Sequence, residues 1–280
     1  MLLRQPLKVA LVQLKVTADK AANLSHAATK IREAAKNGAK LVVLPECWNS
    51  PYAVSAFPEY AEAIPGGQTT EFLSGVAKSE GIYLIGGSIP EKDGEKYYNT
   101  NISFNPAGEL IGTHRKVHLF DIDVPGKIRF KESDILSAGS KPTLLDLEGY
   151  GKVGVSICYD VRFPELSAIA ARKGAFALIF PGAFNMTTGP LHWQLLARAR
   201  AVDNQTYVLM CSPARDLESS YHAYGHSQVI DPWGKVLCEA DAGEETVYAE
   251  LEPSPIEDVR SSIPVNTQRR FDVYKDVSSD

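Results

Sequence analysis

Short apolar runs alternate with amphipathic stretches in the first third of the chain. The run at residues 8–14 predicts a buried strand, and the run at 41–44 predicts a second one. Between them, residues 20–37 place apolar side chains at helical spacing, and Gly38 marks the end of the predicted helix. Because parallel neighbouring strands need such a crossover, this segment predicts a β–α–β unit.

The rest of the chain shows the same two patterns, with more strands in its middle. Short turns join some predicted strands and helices join others, which predicts an α/β fold with a mixed sheet or two stacked sheets and helices outside. Further strands are predicted at 82–87, 97–105, 109–116, 144–147, 153–157, 176–180, 207–211, 226–231, 236–239 and 246–250. Further helices are predicted at 69–80, 163–173 and 190–203, and a short helix with an extended tail at 255–280.

Composition removes several classes of protein. The 280 residues carry 29 Lys+Arg against 34 Asp+Glu, a net charge of −5 with no basic run, which disfavours binding to nucleic acid or to an anionic membrane. No apolar run approaches the length of a spanning helix, and four cysteines are too few for a disulfide framework. Since no linker or repeat interrupts the chain, residues 1–280 are predicted to form a single domain with a C-terminal tail segment.

The N-terminal segment bears on the compartment. Its first apolar stretch, residues 9–12, is too short for a signal-peptide core, and one arginine without a serine run gives little support for a mitochondrial presequence. We therefore expect a cytoplasmic protein with free thiols, and a mitochondrial location stays open as the alternative.

Two candidate functional side chains directly follow predicted strands. Cys158 lies between strand 153–157 and a helix, where open α/β sheets place their ligands, and backbone N–H groups after it could hold an oxyanion. The helix N-terminus is also expected to lower the pKa of this thiol. Glu46 follows strand 41–44, where burial suits base chemistry. A structural thiol and a solvent-facing glutamate are the alternatives that local context leaves open.

A third predicted strand ends in a basic segment. Alternation puts His114, Lys116 and His118 on one face of this strand end. A lysine on an inward face is unfavourable unless it meets a carboxylate or a developing negative charge. The three strand ends therefore offer a base, a cation and a thiol, which is a sufficient set for acyl transfer to cysteine.

Motifs for other chemistries are missing or lack their structural context. The pairs His114/His118 and His222/His226 have the spacing of helical zinc ligands, but the first lies at a strand end and Gly225 interrupts the second. The sequence contains no C-x-x-C, no G-x-S-x-G and no phosphate-binding glycine loop. It therefore predicts no metal site.

Three blocks of this sequence resemble the signature blocks of the nitrilase superfamily of carbon–nitrogen hydrolases. The blocks are Leu-Pro-Glu at 44–46, His-Arg-Lys at 114–116 and the segment 154–165 around Cys158. The resemblance covers nearly the whole chain. It implies a four-layer αββα sandwich that dimerises across helices, a Glu46–Lys116–Cys158 triad, and a second glutamate at Glu132 near the triad.

A finer resemblance is to the omega-amidase branch of the superfamily. The segments that carry it are 49–52, 117–126, 181–185, 187–190 and 198–205. It implies hydrolysis of the terminal amide of 2-oxoglutaramate or 2-oxosuccinamate through a cysteine thioester, without a cofactor. A deaminated-glutathione amidase of the same superfamily and a nitrilase-like scaffold without turnover remain the alternatives.

The resemblance also implies roles for residues around the triad. Glu46 is expected to move protons, Lys116 and the backbone N–H of Tyr159 to hold the oxyanion, and Glu132 to orient Lys116 or a water. The substrate carboxylate is expected at Arg162, whose guanidinium can form a bidentate pair. The same pocket is expected to include Tyr52, Phe184 and Thr188. A salt bridge from Arg162 to Asp160 or Glu165 is the other interpretation.

Overall fold

The protein is described by a computed structural model that covers residues 2–126 and 128–279. The strands are β1 (Leu7–Gln13), β2 (Leu41–Val43), β3 (Tyr83–Ile85), β4 (Ile89–Asp93), β5 (Lys96–Phe104), β6 (Leu110–Arg115), β7 (Asp121–Val124), β8 (Ile128–Lys131), β9 (Thr143–Leu147), β10 (Gly151–Val155), β11 (Ala175–Pro181), β12 (Tyr207–Cys211), β13 (Gln228–Ile230), β14 (Val236–Glu239) and β15 (Glu245–Leu251). The helices are α1 (Lys20–Lys36), α2 (Phe57–Tyr60), α3 (Gln68–Glu80), α4 (Pro164–Arg172), α5 (Gly189–Asn204) and α6 (Ser254–Ser262). Glu132–Asp134 and Cys158–Arg162 form 3₁₀ helices.

The strands form two mixed sheets and a separate hairpin. The first sheet has the order β15-β1-β2-β3-β5-β4, with β6 paired to β5. Its strands β1, β2 and β3 are parallel, which confirms the predicted β–α–β unit. The second sheet has the order β14-β13-β12-β11-β10-β9, and its central strands β10, β11 and β12 are parallel. Strands β7 and β8 pair only with each other in the described residues.

Alternation along β1 shows how the layers pack. Val9 and Leu11 join a core cluster that also contains residues of the second sheet, whereas Ala10 and Val12 join a cluster with residues of α1 and α3. A third cluster lies between the second sheet and helices α4 and α5. Helices therefore cover both outer faces of two stacked mixed sheets, as expected. Burial on both faces explains why β1 is continuously apolar rather than alternating.

The differences from prediction lie mainly at edges. β4 was not predicted, because Pro90 and its charged neighbours do not read as a strand, but an edge position tolerates them. The hairpin of β7 and β8 and the short helix α2 were also not predicted. The tail after α6 lies against α4, where Arg172 binds the Asp276 carboxylate. No helix in the described ranges is long and apolar enough to span a membrane.

The candidate site lies where strands of both sheets end. Glu46, Lys116 and Cys158 follow β2, β6 and β10 within a few residues. Gly182 follows β11, and a Cβ there would lie 3.1 Å from the Cα of Cys158, so this close approach favours glycine. The fold thus brings together residues that lie far apart in sequence.

Candidate active site

Lys116 lies between two buried carboxylates. Its Nζ is 3.0 Å from Glu46 Oε1 and 2.9 Å from Glu132 Oε1, and all three side chains are excluded from solvent. Burial opposes the charge of the ammonium, but the two carboxylates outweigh it and raise the pKa of Lys116 well above its ordinary value. Lys116 is therefore a fixed cation, and the inward lysine does meet the carboxylates that its position requires.

Glu132 binds this cation through one oxygen and a backbone N–H through the other. Its Oε2 accepts a 2.7 Å hydrogen bond from the backbone N–H of Phe120, while its Oε1 faces Lys116. Burial raises the pKa of Glu132, and Lys116 acts in the opposite direction without cancelling the rise. Glu132 and Phe120 thus tie Lys116 to the segment that follows it.

Cys158 opens the 3₁₀ helix in a backbone conformation that is unusual for its type. Its φ of 47° lies in the left-handed region. Burial raises the pKa of this thiol, and the negative charge of Glu46 raises it further. The expectation of a lowered pKa is wrong, because burial and the charge of Glu46 outweigh the opposing charge of Lys116. The resting thiol keeps its proton, and Glu46 is placed to accept it.

Each oxygen of Glu46 has a donor that fixes its orientation. Asn99 Nδ2 donates to Oε1 at 2.8 Å, and the backbone N–H of Ala183 donates to Oε2 at 2.8 Å. Sequence reasoning missed both partners. Asn99 was detectable in principle as a polar side chain inside a predicted buried strand, whereas Ala183 acts through its backbone and leaves no signal in residue type.

An aromatic wall stands beside the carboxylates. The Tyr52 hydroxyl donates to Glu132 Oε1 at 3.3 Å, and its ring lies 4.4 Å from Tyr221 and 5.7 Å from Phe130. Tyr221, another residue that sequence reasoning missed, donates to the carbonyl of Ala183 at 2.5 Å. Burial raises the pKa of both tyrosines well above the usual value, so the hydroxyls stay protonated donors.

Arg162 has no carboxylate within ion-pair distance among the described residues. Its Nη1 is 3.2 Å from His192 Nδ1, and its guanidinium lies 4.9 Å from the centre of the Phe184 ring. The alternative salt bridge to Asp160 or Glu165 is not formed, and Asp160 is instead fully hydrogen-bonded elsewhere. Burial lowers the pKa of Arg162, which marks a cation that lacks anionic compensation.

Of the other expected residues, Tyr159 and Phe184 lie beside this arginine. Tyr159 is the second residue of the 3₁₀ helix, and its ring lies 5.7 Å from the Arg162 guanidinium. Its N–H belongs to a first turn, where N–H groups lack intrahelical acceptors. Phe184 is buried against Trp193 at 5.0 Å. The Thr188 hydroxyl donates to Asn185 Oδ1 at 3.2 Å just before α5, so it is already engaged within its own turn.

A cavity of about 410 Å³ opens beside Glu46. Tyr52 and Tyr221 line it, as do residues of the segment 213–223, whereas Cys158 and Lys116 do not belong to its lining. The cavity therefore reaches the buried cluster from the side of Glu46. Its volume falls in the range of small-molecule sites.

The histidines that have zinc-ligand spacing are engaged otherwise. His114 and His118 both bind Asp160, and His226 Nδ1 lies 3.3 Å from Glu239 while His222 is exposed. Within residues 2–126 and 128–279, no group of three or more His, Cys, Asp or Glu side chains is arranged to hold a metal ion.

Known proteins are similar over almost the whole chain. The family described as Carbon-nitrogen hydrolase matches residues 8–261. Omega-amidase NIT3 of Saccharomyces cerevisiae is 58% identical, over 99% of this chain and 98% of its own. Omega-amidase NIT2 of Danio rerio is 58% identical, over 95% of this chain and 96% of its own. The crystal structure of S. cerevisiae Nit3, a member of branch 10 of the nitrilase superfamily, has a TM-score of 0.90 at 55% identity and covers 97% of this chain and 99% of that one.

Proposed function

The chain belongs to the carbon-nitrogen hydrolase family, and on that premise we propose that it is an omega-amidase. It hydrolyses the terminal amide of 2-oxoglutaramate or 2-oxosuccinamate to the 2-oxo dicarboxylate and ammonia. The observation that carries the proposal is the buried cluster of Glu46, Lys116 and Cys158, in which Glu46 Oε1 lies 3.0 Å from Lys116 Nζ and its charge acts on the thiol. Relatives called omega-amidases, at 58% identity over nearly full length, support the substrate class.

The first half of the reaction forms a thioester. Glu46 accepts the thiol proton as Cys158 Sγ attacks the amide carbon. The Lys116 ammonium and the backbone N–H of Tyr159 stabilise the negative charge that develops on the amide oxygen. Glu46 then protonates the amine as the carbon–nitrogen bond breaks, and ammonia leaves.

The second half releases the acid. Glu46 takes a proton from a water molecule, which attacks the thioester carbon, and Cys158 leaves with the proton restored to its sulfur. Glu132, whose Oε1 lies 2.9 Å from the ammonium, keeps Lys116 in place during both halves. These steps need no metal ion and no organic cofactor.

Arg162 binds the distal carboxylate of the substrate. Its guanidinium is half-buried and has no anionic partner in the described structure, so a bidentate carboxylate would compensate it. Tyr52, which lines the cavity beside Glu46, is proposed to contact the substrate together with Phe184 and Thr188, which do not belong to that lining. Arg162→Lys and Arg162→Ala are expected to raise KM for 2-oxoglutaramate but not for a neutral amide of equal chain length. Unchanged KM in both variants removes this role.

The decisive assay is ammonia release from 2-oxoglutaramate by the purified chain, with the Cys158→Ala variant as the control. Release by the wild type alone is expected, together with an acyl adduct on Cys158 in the intact mass of the quenched enzyme. No release, but turnover of deaminated glutathione, would assign the sister activity. If the wild type neither releases ammonia nor forms an adduct, the chain is a scaffold without turnover.

The enzyme forms a homodimer through α5. Leu191, Leu195 and Val202 leave 65%, 62% and 52% of their surface exposed, and their spacing puts them on one helical face. Leu195→Glu is expected to shift the mass in solution from dimer to monomer. Leu217→Glu, at a site that is 67% exposed outside the helix, is the matched control and leaves the mass unchanged. A wild-type monomer refutes the dimer.

The cytoplasm is the proposed compartment, with the mitochondrion as the alternative. All four cysteines are free, which agrees with a reducing compartment. Fractionation of cells that express the chain with a C-terminal tag decides between the two: cytosolic recovery is expected, and recovery in the mitochondrial fraction contradicts the proposal.

A further inference from the structure

A second buried cluster is built on Asp160, two residues after the nucleophile. Its Oδ1 accepts hydrogen bonds from the backbone N–H of His118 at 2.9 Å and from Nδ1 of the same residue at 2.8 Å. Its Oδ2 accepts from His114 Nε2 at 3.0 Å and from the backbone N–H of Ile157 at 3.0 Å. All four donors point at one carboxylate that is excluded from solvent.

These bonds join two segments that carry reacting groups. Ile157 immediately precedes Cys158, and the Asp160 N–H donates back to the Ile157 carbonyl at 3.0 Å. The carboxylate and its own backbone therefore close a ring around the nucleophile. His114 and His118 stand two residues before and after Lys116 in sequence. One side chain thus connects the nucleophile turn to the lysine segment.

The nucleophile needs such a connection. A non-glycine residue at a φ of 47° is strained, and it persists only where its surroundings hold it. The Asp160 ring supplies bonds on both sides of Cys158. If it loosens, the backbone of Cys158 can relax, and the thiol, the Tyr159 N–H and Lys116 lose their fixed mutual positions.

We propose that His118 and Asp160 are positioning residues for the amidase reaction: they hold the Cys158 turn against the Lys116 segment while the oxyanion forms. This inference rests on the proposed function, since it concerns the same site. It predicts that the His118 hydrogen bond to Asp160 matters for turnover rather than for substrate binding, because it connects the segment of the nucleophile with the segment of the Lys116 cation.

His118 permits a test that separates hydrogen bonding from packing. Its side chain is 28% exposed, and its ring stacks on Phe163 at 3.6 Å. His118→Phe keeps a ring that can stack but removes the donor. His118→Asn loses the stack but places an amide N–H where Nδ1 was. His26→Ala is the control, because it removes a surface histidine–carboxylate contact on α1.

The two variants are expected to differ in kcat. His118→Phe should lower kcat for 2-oxoglutaramate by roughly tenfold to a hundredfold, since a displacement of reacting groups by about 1 Å costs about a hundredfold. Its KM should stay within about twofold of the wild type. His118→Asn should recover most of kcat, and His26→Ala should retain all of it. Equal losses in His118→Phe and His118→Asn, or a loss confined to KM, would overturn the proposal.

A second readout does not depend on the substrate. The rate of alkylation by iodoacetamide, followed at each cysteine by peptide mass spectrometry, should fall at Cys158 in His118→Phe and stay unchanged at Cys47, Cys211 and Cys238. General loosening of the fold would instead speed reaction at all four thiols. An unchanged Cys158 rate refutes the positioning role. If the wild type releases no ammonia, the proposed function fails, and these alkylation rates still decide the role of His118.

Discussion

Replacing Glu132 by glutamine removes one negative charge from the buried cluster and preserves its shape. Two carboxylates surround one ammonium in the wild type, so the cluster beside the Cys158 thiol is negative overall. Glu132 is one of the groups that raise the pKa of that thiol. Glu132→Gln is therefore expected to lower the pKa of Cys158 while it weakens the hold on Lys116.

The loss of turnover follows from the two bonds of Glu132. A glutamine can offer its oxygen to Lys116 or to the Phe120 N–H, but its amide then faces the other donor, so one bond is lost in either orientation. A hydrogen bond to a charged group contributes about 1.5–3 kcal/mol, and about 1.4 kcal/mol corresponds to tenfold in rate. The expected fall in kcat is roughly tenfold to a hundredfold, with KM changed by less than about threefold.

Two measurements check this reasoning. Steady-state ammonia release gives kcat and KM, and the pH dependence of Cys158 alkylation gives the direction of the pKa change. Asp134→Asn is the matched control, because Asp134 lies in the same 3₁₀ helix with its side chain 61% exposed. An unchanged kcat in Glu132→Gln, or a thiol pKa that rises, would refute the electrostatic account of the cluster.

Three further predictions concern the surroundings of the site. Asn99→Leu removes the donor to Glu46, and kcat should fall about tenfold at unchanged KM. Gly87→Ala and Gly94→Ala both add a Cβ at positive φ, but only the first collides with the Pro45 carbonyl beside Glu46. Urea unfolding should show a loss of about 1–2 kcal/mol for Gly94→Ala, and a loss of more than about 3 kcal/mol with loss of activity for Gly87→Ala. Burial raises the pKa of Asp160, but hydrogen bonds from His114 and His118 outweigh burial and hold this pKa well below its usual range. The stability that the wild type has over Asp160→Asn should be full above about pH 4 and shrink as the pH falls further.

Each of these has a contrary outcome. Full activity in Asn99→Leu would mean that Ala183 and Lys116 suffice to orient Glu46. Equal costs for Gly87→Ala and Gly94→Ala would mean that φ alone matters and not the collision. A stability difference between wild type and Asp160→Asn that grows in acid would reverse the sign of the linkage.

The candidate site was predictable as far as its groups follow recognisable strands. Glu46 and Cys158 follow buried apolar strands, and functional groups in α/β sheets gather at the carboxyl ends of parallel strands. Lys116 was predictable because an inward lysine demands a counter-charge, which Glu46 and Glu132 supply. An α/β fold with helices outside was predictable because short turns join some strands and helices join others, whereas the four-layer order was implied only by the family resemblance.

Other features of the site depend on contacts between distant segments. Ala183 contributes a backbone N–H that any residue could supply. Tyr221 lies in a segment without periodicity, and its position follows from packing against Tyr52. The thiol pKa of Cys158 was predicted in the wrong direction, because the sequence shows a helix start but not the depth of burial or the proximity of Glu46.

The wide sequence separation of the site's contacts has a consequence for synthesis and refolding. Glu46 meets Lys116 across 70 residues and the Ala183 N–H across 137. Non-local contacts of this kind form after local helices and hairpins, because loop closure must precede them. During refolding, helical circular dichroism should therefore return before ammonia release does. On the ribosome, Glu46 cannot acquire its Ala183 partner until residue 183 has emerged, so a shorter nascent chain lacks one of the donors that orient its base.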